Sequence, residues 1–258
     1  MLDEIIKNKE QEIVELMNQQ QMNINDVLKK KIENRGFLKT IKKNIINNTI
    51  SIIAEIKRAS PSKGFLNENL NIEEIAIEYQ QAGASCISVL TDQRFFKGSI
   101  ADLIQVRNKT TLPILRKDFI IHESQLIQSK LIGADCILLI VAALKKDLFS
   151  RLYDLSLKLD LDVLVEVHDE KELQIALDKK CHLIGINNRN LKTFETSIQT
   201  SLDLIKSIND DVIVVSESGI RDSNDIKLLR NSGISTFLIG EMFVTSSNIS
   251  KDLQGLII

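Results

Sequence analysis

The chain has 258 residues, 43% of them hydrophobic and 26% charged, with a formal net charge of −2. That length and apolar content suit a single domain with a full core, since barrels of alternating strands and helices run to about 200–250 residues. Near-neutral charge, with Lys and Arg spread along the chain, gives no basic footprint for nucleic acid or an anionic membrane surface. No apolar run approaches the roughly 20 residues of a membrane helix.

The charged start Met1-Leu2-Asp3-Glu4-Ile5-Ile6-Lys7 lacks the apolar centre of a secretory leader, so a soluble, cytoplasmic protein is expected. Residues 2–21 read as an amphipathic helix with Ile5, Ile6, Ile13, Leu16 and Met17 on its apolar stripe. Asn25 and Asp26 read as a cap for a second helix carrying Val27, Leu28 and Ile32, broken at Gly36. These segments form an N-terminal helical extension, 1–48, expected to dock on the main body, 49–258. Cys86, Cys136 and Cys181 show neither disulfide nor metal spacing, and Cys86 and Cys136 open apolar runs as core residues. His122, His168 and His182 have no zinc spacing; His168 reads as lying behind the site or facing solvent.

From residue 51 the pattern repeats. Apolar, β-favouring runs fall at 51–56, 85–90, 113–116, 136–141, 162–167, 183–187, 211–215 and 236–239. Helical stretches lie between them, at 72–81, 123–132, 145–159, 170–179 and 225–231, with Gly83, Gly133 and Gly233 placed as left-handed caps. Continuous apolar strands alternating with helices imply a parallel sheet covered on its outer face. Eight such units predict a closed α/β barrel, the (β/α)8 TIM barrel, with an open doubly wound sheet as the alternative.

In that fold chemistry collects at the carboxyl ends of the strands. Glu55 and Lys57, two residues apart, share one strand face with Ile53. Lys117 shares its face with Leu115 and Phe119, and Glu166 ends the fifth strand. Asn187 and Arg189 follow the sixth. Desolvation and Lys57 would lower the Lys117 pKa while Glu55 or Glu166 would raise it, so Lys117 is either a proton donor or a fixed charge. Ser218-Gly219 and Gly240-Glu241, after strands seven and eight, stand where barrels bind phosphate through backbone N–H groups, with Ser60 able to add a hydroxyl. Phe96 and Phe119 can wall an aromatic substrate.

Ala54-Glu55-Ile56-Lys57-Arg58-Ala59-Ser60-Pro61-Ser62-Lys63-Gly64 resembles the signature of the indole-3-glycerol phosphate synthase family. Leu115-Arg116-Lys117-Asp118-Phe119, Leu164-Val165-Glu166-Val167-His168, Gly185-Ile186-Asn187-Asn188-Arg189-Asn190-Leu191 and Ser216-Glu217-Ser218-Gly219-Ile220 extend the resemblance in order. The resemblance implies ring closure, decarboxylation and dehydration of 1-(2-carboxyphenylamino)-1-deoxyribulose 5-phosphate to indole-3-glycerol phosphate, in tryptophan biosynthesis. It implies Lys117 as general acid, Lys57 on the substrate carboxylate, and Glu166 as the partner carboxylate that handles protons. Glu55, Asn187 and Arg189 would support these groups. Ser60, Ser218, Gly219 and Gly240 would contact substrate or phosphate, and Phe96 and Phe119 the anthranilate ring. No metal or cofactor is called for, because losing carbon dioxide restores aromaticity without an electron sink. The partner implied is the phosphorylated small molecule, and a monomer or weak homo-oligomer is expected. Met242 departs from the pattern, where many members carry serine after the glutamate. Phosphoribosylanthranilate isomerase would need a cysteine at strand one and an aspartate at strand five, where Lys57 and Glu166 stand; a non-catalytic barrel would need no polar rim.

Overall fold

The computed structural model describes residues 1–19, 23–191 and 193–257. Eight parallel strands close into a barrel in sequence order: β1 (Ser51–Ile56), β2 (Cys86–Leu90), β3 (Ile114–Lys117), β4 (Cys136–Ile140), β5 (Asp162–Val167), β6 (Leu183–Asn187), β7 (Ile213–Glu217) and β8 (Thr236–Ile239). The (β/α)8 barrel is therefore the observed fold and the open sheet is set aside. The strands are buried on both faces, which is why they read as unbroken apolar runs.

Period-two alternation divides each strand between two cores. Outward residues such as Ile52, Ala54, Ile87, Val89, Val165 and Ile184 pack against the surrounding helices. Inward residues Ile53, Cys86, Leu115, Cys136, Leu164, Leu183, Val215 and Leu238 fill the barrel itself. Cys86 and Cys136 are core residues, as expected.

The helices are α1 (Leu2–Gln19), α2 (Ile24–Leu28), α3 (Phe37–Ile46), α4 (Ile72–Ala82), α5 (Ile100–Lys109), α6 (Glu123–Leu131), α7 (Lys146–Lys158), α8 (Glu170–Asp178), α9 (Gln199–Leu204), α10 (Ser223–Asn231), α11 (Glu241–Val244) and α12 (Ile249–Ile257). Gly83, Gly133 and Gly233 have left-handed backbone beside the ends of α4, α6 and α10. The extension differs in detail from its pattern. Positions 20 and 21 of the first predicted helix lie outside the described residues. Asn25 and Asp26 fall inside α2, because Asn23 is the cap: its side chain accepts from the Asp26 N–H while Asp26 reaches back to the Asn23 N–H. Ile5 and Ile13 are buried as predicted, but Met17 is exposed.

Two features of the extension matter for the site. α3 inserts Phe37 and Ile41, both fully buried, into the barrel's interior core. On α1, Lys9 occupies the buried stripe between Ile5 and Ile13 and lies 3.0 Å from Asp92 and 2.9 Å from Asp118. Burial opposes its charge, but Asp118 and Asp92 outweigh it and raise the Lys9 pKa. Asp118, held by Arg116 and Lys9 against the same burial, is lowered below the usual carboxylate range.

Candidate active site

Strand register sets the ring of functional groups. Glu55 pairs with Ser88, Leu90 with Lys117, Ile140 with Glu166, Glu166 with Gly185 and Asn187 with Glu217. The inward charges therefore stand at one level, above the apolar layer, at the carboxyl ends of β1, β3, β5 and β7.

They enclose a cavity of about 1020 Å³ including its open mouth. Glu55, Lys57, Ser60, Phe96, Lys117, Phe119, Glu166, Asn187, Arg189 and Ser218 all line it. Gly219 and Gly240 line the adjoining recess, which shares Glu55, Lys57, Arg189 and Ser218 with the main cavity. Every residue named from the sequence is thus brought to one place. The Phe96 and Phe119 rings lie 6.0 Å apart, centroid to centroid, and form an apolar wall.

Lys57 donates to Glu55 Oε1 at 2.7 Å. Lys117 Nζ donates to Glu166 Oε2 at 3.0 Å and lies 3.5 Å from Glu217 Oε2. Asn187 Nδ2 donates to Glu166 Oε1 at 3.1 Å, and Asn187 Oδ1 accepts from the Arg189 N–H at 3.0 Å. Arg189 also donates to Ser62 Oγ at 3.1 Å, tying the β1 loop to the β6 loop. Lys63, on the same β1 loop, pairs with Glu241.

The competing influences on Lys117 resolve in one direction. Burial would neutralise it, but Glu166 above all, then Glu217 and Glu55, raise its pKa. Glu166 is pushed upward by burial, yet Lys117 and His168 hold it well below the usual carboxylate range. Glu217 goes the other way: burial, with Glu166 and Glu55 adding repulsion against the pull of Lys117, raises it to about 8.

Glu217 was missed as a site residue in the sequence. The signal was strand parity: it shares the inward face of β7 with Val215, one position from the predicted Ser218. Room for it comes from Gly185 on β6, where a Cβ would lie 2.0 Å from Glu217 Oε1. Gly240 serves Glu55 likewise, since a Cβ there would lie 2.7 Å from Glu55 Oε1. Met1, Leu2 and Ile5 of α1 also line the main cavity, a contribution no local pattern signalled. His168 lies behind Glu166, with its side chain only 10% exposed, which decides against the solvent-facing reading. Met242 lines the same recess as Gly219 and Gly240.

An acid–base (β/α)8-barrel enzyme is the class that this fold and this ring of amines and carboxylates define. The profile of the indole-3-glycerol phosphate synthase family matches residues 2–256, and the chain belongs to that family. It is a carboxy-lyase of tryptophan biosynthesis. The indole-3-glycerol phosphate synthase of Bordetella pertussis is 49% identical over 223 residues, 86% of this chain and 85% of the relative. Among solved structures, a 3-hexulose-6-phosphate synthase superposes with TM-score 0.64 at 10% identity, over 80% of this chain and 98% of the other. The thiamine phosphate pyrophosphorylase of Pyrococcus furiosus does so with TM-score 0.59 at 13% identity, over 83% and 96%. Those two share the fold alone. Among the described residues no helix is long and apolar enough to cross a membrane.

Proposed function

We propose that Lys117 is the acid of the ring closure. The observation that carries this is its ammonium, 3.0 Å from Glu166 and 3.5 Å from Glu217, at the inner end of a cavity walled by Phe96 and Phe119. A lysine whose pKa is raised holds its proton until it meets a stronger base, and a carbonyl oxygen turning into an alkoxide is such a base. As the anthranilate ring carbon attacks the ribulose carbonyl, Lys117 protonates that oxygen, and Glu166 stabilises the positive charge left on the aryl nitrogen. Carbon dioxide then departs, returning its bonding electrons to the ring. Loss of the hydroxyl as water, with a proton taken from the neighbouring carbon, completes the indole.

Lys57, paired with Glu55, holds the substrate carboxylate and protonates the departing hydroxyl. Asn187 and Arg189 orient Glu166 and the carboxylate. The phosphate sits in the recess at Gly219 and Gly240, where Ser218 adds a polar contact and the missing side chains let backbone N–H groups approach, while Ser60 contacts the substrate from the adjoining main cavity. Phe96 and Phe119 flank the aryl ring. We also read residues 1–258 as one domain and the protein as a cytoplasmic monomer. Its exposed large apolar side chains, such as Val14, Ile46, Phe65 and Leu228, are carried by separate elements.

The test is continuous fluorescence of indole formation from the carboxyphenylamino-deoxyribulose phosphate. Wild type should turn over; Lys117→Ala should lose about 10²–10⁴-fold in kcat while retaining its circular dichroism. Near-normal turnover in a folded Lys117→Ala would remove the lysine from the mechanism.

A further inference from the structure

The end of β5 carries an arrangement that the acid–base reading does not use. Glu166 and His168 share the inward strand face, and Asp169 caps α8 by accepting from the Glu172 N–H at 2.9 Å. That cap sets Glu172 in the first turn, where its carboxylate folds back. Glu172 Oε2 accepts from the His168 backbone N–H at 2.9 Å and lies 3.0 Å from His168 Nδ1. The opposite ring nitrogen, Nε2, is buried, has no aligned hydrogen bond, and lies 3.2 Å from Glu166 Oε1.

An imidazole between two carboxylates has one arrangement without a clash of lone pairs: both nitrogens protonated. A neutral ring donating to Glu172 would leave the Nε2 lone pair 3.2 Å from Glu166 Oε1, too close for a water to stand between them. Burial works against the charge, but Glu166 and Glu172 outweigh it and push His168 up to about 10. Its effect falls on one of the two carboxylates that share Lys117. Glu166 has Lys117 on one oxygen and Asn187 and His168 on the other. Among the described residues Glu217 has Lys117 alone, and its Oε1 is buried without a partner.

We propose that His168, held as an imidazolium by Glu172, is a positioning residue that fixes Glu166 as the ionised partner of Lys117 and leaves Glu217 as the carboxyl that carries the exchangeable proton. This rests on the acid–base reading given above. The charged groups facing Glu166 and His168 are Lys117 from β3, Glu217 from β7 and Glu172 from α8, with Glu55 from β1 acting through Lys117 and Glu217; β6 contributes the neutral Asn187. Removing a cation beside two coupled carboxylates raises the pH at which the pair gives up its shared proton.

The first measurement is independent of turnover: nitrogen-15 NMR of the full-length protein. The chain has three histidines, so the His168 signals are assigned by their loss in His168→Asn. Both ring nitrogens of His168 should remain protonated at pH 8, and Glu172→Gln should lower its titration by about one pH unit or more. A His168 ring that is neutral at pH 7 overturns the proposal, whether or not the variants fold. The second is kinetic. His168→Asn should lower kcat about tenfold with KM within about threefold, and shift the pH limb set by the Glu166–Glu217 pair upward by about one unit. A folded His168→Asn with unchanged kcat and pH profile overturns it equally. Wild-type protein that fails to form indole, with His168 charged in the NMR spectrum, would instead count against the catalytic reading of the pocket.

Discussion

Gly185→Ala tests the placement of Glu217 without touching any charged group. A Cβ at 185 would lie 2.0 Å from Glu217 Oε1, 3.1 Å from its Cδ and 3.2 Å from Leu164 Cδ1. Contacts under 3.0 Å force a shift, so the carboxylate must retreat by about 1 Å, and a displacement of that size costs about 10²-fold in rate. Gly185 does not have left-handed backbone, so alanine adds no conformational strain and the effect reports packing alone. Overpacking a core of this density costs about 1–3 kcal/mol, against which the stiffer unfolded chain returns about 0.4–1 kcal/mol. For a chain of this length 1 kcal/mol moves the melting temperature by about 2–4 °C. The expected result is kcat down about 100-fold, with a melting temperature a few degrees lower. Adding Glu217→Ala to Gly185→Ala should recover stability by vacating the space, and should not recover rate. Wild-type kcat in Gly185→Ala would refute the argument, since Glu217 could then stand elsewhere without consequence.

Lys9→Met keeps the length and packing of the side chain but leaves Asp92 and Asp118 buried without their shared cation. Breaking one side of a buried pair costs about 3–5 kcal/mol, so urea unfolding should show a large loss of stability, and a loss below about 1 kcal/mol would mean the pair behaves like a surface one. Glu217 has a pH signature of its own. Its pKa rises from 4.5 to about 8 on folding, so the native chain binds more protons than the unfolded chain between those values. Its contribution to stability is full below pH 4.5 and is lost as pH rises through 8. Glu217→Gln should therefore gain on wild type in melting temperature between pH 5 and pH 9, whereas a constant difference would mean the carboxyl titrates normally.

The alternation of strand and helix was legible because each barrel strand is buried on both faces and each covering helix on one, so periodicity alone separated them. The cationic site residues were legible for a related reason: Lys57 and Lys117 interrupt apolar strand ends where a charge has no structural purpose. Glu217 was harder to read. Its neighbours Ser216 and Ser218 are polar as well, so it broke no apolar pattern, and its importance depends on a missing side chain across the strand pair at Gly185. The contribution of α1 to the cavity was illegible for a different reason. Ile5 reads as an ordinary member of an amphipathic stripe, and Leu2 and Lys9 carry no signal at all, until the helix docks with Lys9 on Asp92 and Asp118, more than 80 residues away in sequence.

The floor of the barrel explains how such a ring of charges works as a site instead of dispersing into water. Below Glu55, Lys117, Glu166 and Glu217 the interior is mainly apolar, with Ile53, Leu115, Leu164, Val215 and Leu238 packed in one core with Phe37 and Ile41 of α3. The cavity that holds these charges is also lined by Met1, Leu2 and Ile5 of α1. The amines and carboxylates therefore settle their protons mainly against one another, which is how Glu166 and Glu217, both beside the same lysine, are driven in opposite directions. The α3 plug thus sets the polarity of the medium around Lys117.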